Sequence, residues 1–236
     1  MQTYVGTSGF SYPAWKGSFY PKELKSEDFL RYYAERFSAV EINNTFYRMP
    51  KKDVLSRWPG QVSSDFSFTL KVSQRITHMK RLKDVASEVG YFFDVAATLG
   101  PHLGPVLVQL PPNVKQDVPR LVDFLALLPD GACAALEFRH DSWYDDEVYA
   151  ALRARNAALC VSEMDGEEAT PLVPTADWGY LRLRRAEYDE GALNGWLERV
   201  RAQGWSRAYV FFKHEDEARG PVFASRFSGL LTAQPG

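Results

Sequence analysis

The sequence predicts a single (β/α)8 TIM-type barrel. Three observations carry that prediction. Eight short strand-like runs are spread along the whole chain, amphipathic helical patterns lie between most of them, and inward-facing charges gather toward the C-terminal ends of the strands. A chain of 236 residues can bury one large core, removing roughly 70% of its unfolded surface from water. A doubly wound open sheet is the runner-up. It fits less well because the first strand turns through Gly6-Thr7-Ser8-Gly9 instead of a GxGxxG fingerprint, and the sequence has no Walker A motif. No linker, repeat or low-complexity stretch interrupts the pattern, so residues 1–236 read as one domain, with 232–236 expected to be a disordered tail.

The strand-like runs are residues 3–8, 39–46, 66–73, 105–110, 133–139, 158–164, 179–184 and 207–213. The first helix follows at 26–37, with Ser26 as its N-cap and Phe29, Leu30, Tyr33 and Phe37 on one face. A shorter helix covers 51–58. Residues 84–99 place Val85, Val89, Phe92, Phe93 and Ala96 at helical spacing. Residues 117–128, 145–155, 190–203 and 222–231 behave in the same way. The exception is 165–177, where Pro171 and Pro174 argue for a loop, so the helix after strand six is expected to be replaced.

Composition excludes several classes. With 45% hydrophobic and 14% aromatic residues, the chain can offset the entropy of ordering, so it is not a disordered protein. Lys and Arg number 28 against 30 Asp and Glu, a net charge of -2, which weighs against a protein that coats nucleic acid. The two cysteines, Cys133 and Cys160, sit in apolar runs and read as buried reduced thiols. The chain starts directly with the strand-like Tyr4-Val5-Gly6, and no apolar run approaches the ~18 residues of a membrane helix. The expectation is a soluble, cytoplasmic protein without membrane partners. The oligomeric state is not encoded in any feature we identify.

Alternation along the strands sorts side chains by face. The outward face must pack under helices, which leaves Glu41, Asn43 and Thr45 inward, then Ser67, Thr69, Lys71 and Ser73, then Glu137 with Arg139, and Arg182 with Arg184. Gln109 and Lys213 lie near the ends of strands four and eight. At the C-terminal mouth, where barrel enzymes carry their sites, Lys71, Arg139, Arg182, Arg184 and Lys213 outnumber Glu41 and Glu137. Buried charges demand partners, so one reading is a self-satisfied ion-pair network. The excess of fixed cations favours the other, an anionic small-molecule ligand such as a phosphate, sulfate or carboxylate.

Several blocks are distinctive: Gly6-Thr7-Ser8-Gly9-Phe10-Ser11-Tyr12, Trp15-Lys16-Gly17, Phe19-Tyr20-Pro21, and Val40-Glu41-Ile42-Asn43-Asn44-Thr45-Phe46-Tyr47-Arg48. Further along come Lys71 with Thr77-His78, Gln109-Leu110-Pro111-Pro112, and Glu137-Phe138-Arg139-His140 with Ser142-Trp143. Together they resemble the YecE-like family (domain of unknown function seventy-two), from about Tyr4 to about Phe227. The resemblance implies a TIM-type barrel and implies no activity. It also has departures. Where the family usually continues Tyr180-Leu181-Arg182-Leu183 with His-Gly, this chain has Arg184-Arg185, and Lys213 stands before His214 where the family tends to have Asn.

The leading expectation is an enzyme acting on an anionic, phosphorylated small molecule or nucleotide by acid-base or hydrolytic chemistry. Glu41 and Glu137 are the candidate acid and base, with His140 assisting. Their strands lie well apart, which disfavours the close carboxyl pair of a retaining glycosidase. Lys71 heads a basic stretch with Arg75, Lys80, Arg81 and Lys83, readable as a phosphate clamp or as a solvated loop. Lys71 also suits an imine-forming amine. Lys71, Arg139, Arg182 and Lys213 would hold the anion. Asn43, Tyr47, Arg48, His78, Arg81 and Gln109 would line the site. Trp15, in an aromatic first loop, and Trp143 would either pack or stack on a base or sugar.

His78, His140 and His214 follow strand ends, whereas His102 precedes strand four and belongs to the opposite face. With Glu41, Glu137 and Asp165, the three mouth histidines could ligate a divalent metal, as a phosphodiesterase resembling the apurinic-endonuclease barrels would. No HxH or HExxH spacing occurs and the neighbouring cations oppose metal binding, so no cofactor is expected. A non-catalytic nucleic-acid or anion-binding protein is the competing class.

Overall fold

Eight parallel strands close on themselves in chain order: β1 (Gln2–Ser8), β2 (Ala39–Ile42), β3 (Ser67–Lys71), β4 (Leu103–Gln109), β5 (Ala134–Glu137), β6 (Ala158–Glu163), β7 (Trp178–Leu183) and β8 (Arg207–Phe212). These are seen in a computed structural model of the chain, which describes residues 1–213 and 218–233. Closure is made by β1 against β8, in register from Gln2 opposite Arg207 to Thr7 opposite Phe212. The connecting helices are α1 (Phe29–Ala34), α2 (Lys52–Leu55), α3 (Ala86–Ala96), α4 (Val118–Ala126), α5 (Asp146–Ala154), α6 (Glu190–Arg201) and α7 (Arg219–Ala233). The expected barrel is borne out.

Parallel strands are buried on both faces, and each face here has its own core. Outward residues such as Val40, Phe68, Val106, Leu136, Leu181 and Val210 pack under the helices. Inward residues Ala39, Leu107, Ala135, Cys160, Tyr180, Tyr209 and Phe211 fill the barrel itself. β1 and β2 approach so closely at Gly6 that an added Cβ would lie 1.8 Å from the Ala39 carbonyl oxygen, which explains glycine there.

The 165–177 stretch forms no helix, as Pro171 and Pro174 led us to expect. Instead Thr175 fastens it. Its hydroxyl accepts from the Leu159 amide at 2.7 Å and donates to the Ala157 carbonyl at 2.8 Å. β2 is shorter than expected. It stops at Ile42, and Asn44–Phe46 turns away as a 3-10 segment. The Thr45 hydroxyl bonds the carbonyls of Ile42 and Lys71, so a residue expected to face the barrel interior ties the turn to β3. Ser26 is not a cap. It opens a short 3-10 turn, Ser26–Asp28, without a side-chain capping bond, and α1 begins at Phe29. α7 runs through Ala233, and residues 234–236 lie outside the described residues. Among the described residues no helix is long and apolar enough to cross a membrane.

Candidate functional site at the C-terminal mouth

Strand alternation brings one inward polar side chain after another to the C-terminal end of the barrel: Ser8, Glu41, Lys71, Gln109, Glu137, Ser162 and Arg182 on β1 to β7. Arg182, 3% exposed, sits between the two carboxylates. Its Nε and Nη2 each donate to Glu41 at 2.9 Å, and its Nη1 donates to Glu137 Oε2 at 2.6 Å. Glu41 also accepts from Tyr180 (2.6 Å), Ser8 (2.7 Å) and Asn43 (2.9 Å). Glu137 accepts from Gln109 (2.7 Å), Arg139 Nε (3.3 Å) and Arg184 Nη2 (3.3 Å).

Burial pushes both carboxyls up, but the Arg182 charge and the donated hydrogen bonds outweigh it and hold each below the usual carboxylate range. An ionised, donor-saturated carboxylate is a poor proton carrier near neutral pH. The geometry therefore departs from the expected acid-base pair. Glu41 and Glu137 are braces for Arg182, and the ion-pair reading describes this trio.

Two titratable groups at the mouth are less committed. The Lys71 amine donates to Gln109 Oε1 at 2.7 Å and lies 4.3 Å from the centre of the Phe46 ring. Burial and the Arg182 charge push it down to about 8 against the opposing pull of Glu41 and Glu137. His78 lies in a π-helical turn, Arg75–Met79, a distortion common at functional sites. Its Nδ1 pairs with the Thr77 hydroxyl at 2.9 Å and its ring meets the edge of Phe46 at 4.8 Å. Burial and the charges of Lys71 and Arg139 push its imidazole down, which favours the uncharged form.

Beside this centre, between the ends of β5, β6 and β7, a cavity of about 560 Å³ is lined by Arg139, Ser162, Arg184, Glu167, Glu168 and Thr170 among others. Arg139 is 38% exposed, and its single hydrogen bond is the one from Nε to Glu137.

Other expected residues lie elsewhere. Trp143 is a correction: it stacks on Phe138 at 4.5 Å, donates to the Val114 carbonyl and is buried in the outer core. Trp15 is another, buried with Tyr20 and Phe29, so it packs the first loop and is not open to a ligand. Aromatic content alone could not separate packing from stacking. His140 uses Nδ1 to accept from the Ser142 amide at 3.2 Å and caps a short turn. The basic 71–83 stretch divides. Arg75 and Lys80 share Glu88 at 2.8 and 2.9 Å, Arg81 is exposed, and only Lys71 and His78 join the mouth. Tyr47, Arg48 and Lys213 are exposed at the rim. His102 binds the Phe66 carbonyl at the barrel's opposite end.

Cys160 is buried. Cys133 is only half-buried, and its sulfur accepts from Arg207 Nη2. Asp165 accepts from the Ala186 amide, and among the described residues no three His, Cys, Asp or Glu side chains come together as a metal-ligand set. His214 and Glu215-Asp216-Glu217 lie outside the described residues.

Sequence reasoning missed Tyr180, Ser8 and Ser162 and left Glu163 unplaced. Tyr180 is in phase with Arg182, so alternation carried its signal. Ser8 becomes a Glu41 partner only through the β1–β2 register. Glu163 faces outward, accepting from Tyr188 and Trp196.

The family model described as "Protein of unknown function DUF72" matches residues 4–236. The chain belongs to the DUF72 family. The family and barrel that the motifs implied are thus both borne out. The UPF0759 protein YecE of Escherichia coli K12 is 31% identical over 142 residues, 60% of this chain and 50% of that protein, so the match spans about half the length of that relative. UPF0759 protein YunF of Bacillus subtilis is 25% identical over 229 residues, 91% of this chain and 79% of that protein. Among solved structures, a DUF72 family protein of Thermotoga maritima superposes with a TM-score of 0.88 at 30% identity, covering 98% of this chain and 100% of the other. A DUF72 family protein of Enterococcus faecalis, at 17% identity, gives 0.82 over 100% and 97%, a likeness of fold alone.

Proposed function

We propose that this DUF72 protein is an enzyme that binds an anionic, phosphate-bearing small molecule at the C-terminal mouth and acts on it by acid-base or hydrolytic chemistry, with Lys71 as the proton-transfer group. The observation that carries this reading is the placement of the Lys71 amine. It is held by a single side-chain hydrogen bond beside the under-coordinated Arg139, above a braced Glu41–Arg182–Glu137 trio. Arg139 supplies a charge for the anion and Gln109 orients the amine. His78, whose imidazole is shifted toward its neutral form, is a second candidate base on the same rim.

The test is turnover across a panel of sugar phosphates and phosphoesters. Lys71→Met is expected to lower kcat by about a hundredfold or more, the usual contribution of a positioned proton carrier. The pH profile of the native protein should show a limb near pH 8 that the variant lacks. Native-like turnover in Lys71→Met would overturn the assignment. A second reading, a non-catalytic anion-binding protein, is favoured by the donor-saturated state of both buried carboxylates. It predicts anion binding with no turnover of any panel member.

A further inference from the structure

We infer that the cavity between the ends of β5, β6 and β7 is a phosphomonoester subsite whose ligand carries hydroxyl groups, as a sugar phosphate does. This deepens the anionic-ligand reading above and rests on it. The cavity floor is built from two guanidinium groups. Arg184 is 9% exposed, and both of its side-chain hydrogen bonds, to Glu137 and to the Ser162 hydroxyl, leave from Nη2. Among the described residues its buried Nε has no hydrogen-bond partner. Arg139 bonds only through Nε, so both terminal nitrogens of its fork lack an acceptor. A buried donor left unmade is costly, and a guanidinium that is planar and forked is suited to oxyanions. Arg139 can take two oxygens and Arg184 a third, which matches the three terminal oxygens of a phosphomonoester and exceeds the two of a carboxylate.

The positive charge is local. Arg139, Arg182 and Arg184 cluster around Glu41 and Glu137, an excess of one cation at that point of the lining, whereas the cavity as a whole also carries Asp141, Glu167 and Glu168. The outer wall has the opposite character. Glu167 and Glu168 line it, with Asp141 beside them. Ionised carboxylates only accept hydrogen bonds, so the part of the ligand that faces them must donate. The hydroxyl groups of a sugar do so. The loop that carries Glu167 and Glu168 is tied to β6 at Thr170, whose amide donates to the Ser162 carbonyl at 3.0 Å.

The experiment is calorimetric titration of the full-length protein with inorganic phosphate, ribose 5-phosphate and adenosine monophosphate. Ribose 5-phosphate is expected to bind about tenfold or more tightly than inorganic phosphate. Arg139→Gln and Arg184→Gln should each weaken both by about tenfold or more, the scale of one charge-assisted hydrogen bond. Replacing Glu167 and Glu168 together by Gln should shrink the sugar-phosphate advantage while leaving inorganic phosphate as tight or tighter. Absence of saturable ribose 5-phosphate binding would overturn the inference. So would native affinity in folded Arg139→Gln, or failure of both ribose 5-phosphate and adenosine monophosphate to bind more tightly than inorganic phosphate. Circular dichroism and melting establish folding; should Arg184→Gln not fold, the partly exposed Arg139 decides the matter alone. Lys71→Met separates the two levels, because the reading above is scored by turnover and this subsite by phosphate affinity. Turnover that depends on Lys71 but ignores Arg139 would retain the enzyme and discard this subsite. Arg139-dependent binding without turnover would do the reverse.

Discussion

Arg182 is the residue on which the mouth depends. Among the described residues it alone touches both buried carboxylates, so its removal would leave Glu41 without a cation and Glu137 with the longer Arg139 and Arg184 contacts. Arg182→Met is expected to cost about 3–5 kcal/mol in denaturant unfolding, the range for breaking a buried ion pair from one side. A loss below about 1 kcal/mol would mean the carboxylates find other partners. Lys71 carries a pH signature of the opposite kind. Its folded-state amine is held at about 8, below the ordinary 10.5, so between those values the unfolded chain binds more protons than the native one. Stability must then rise with pH from about 8 to 10.5, and below 8 the protonated amine is a full burden on the fold. Subtracting the stability curve of Lys71→Met from that of the native protein should leave a difference that climbs across this window. A flat difference would place the amine in bulk-like solvent.

At the scale of the element, the missing helix between β6 and β7 raises the question of what holds that connection down. Thr175, 3% exposed, answers it by satisfying a backbone donor and a backbone acceptor at the start of β6. Thr175→Val keeps the shape and removes both bonds, which should destabilise the protein by about 1–3 kcal/mol because the Leu159 amide is left buried and unpaired. Equilibrium unfolding measures this, and a neutral result would show that water replaces the hydroxyl. The same connection carries Thr170, Glu167 and Glu168 to the mouth, so its anchoring at Thr175 and Thr170 is also what gives the cavity an outer wall. Elements were the most legible part of the sequence. Among the described residues apolar spacing located each strand and α-helix, though not the short 3-10 and π-helical turns, because burial on one or two faces is written locally. Their ends were less so. β2 stops four residues early because Thr45 finds two carbonyls in a turn, a bond invisible to hydrophobic alternation.

On the scale of the whole molecule, a net charge of -2 is an average over a cation-rich mouth and a surface that carries the balancing acids. Binding at that mouth involves a few recessed charges. Ribose 5-phosphate affinity should therefore fall by less than about tenfold between roughly 50 and 500 mM salt. A nucleic-acid coat, with six or more phosphate contacts, would lose about a thousandfold or more over a narrower range. A steep slope, or tight duplex binding at low salt, would favour a polyanion surface. The sequence by itself determined the barrel, the order of its elements, the family, and which residues look inward, because a period of two is a local property of the chain. It placed Glu41, Glu137, Arg139, Arg182 and Arg184 on the right face. It could not say which of them are used up on one another. Glu41 and Arg182 are separated by 141 residues, and only barrel closure brings them to 2.9 Å. Nor could it tell that Trp143 turns into the outer core while Arg139 keeps an open fork. Alternation assigns a face but not a partner. Partnership is set by the register and curvature of all eight strands together, and that is where this site, with its spent carboxylates and unspent guanidinium groups, was decided.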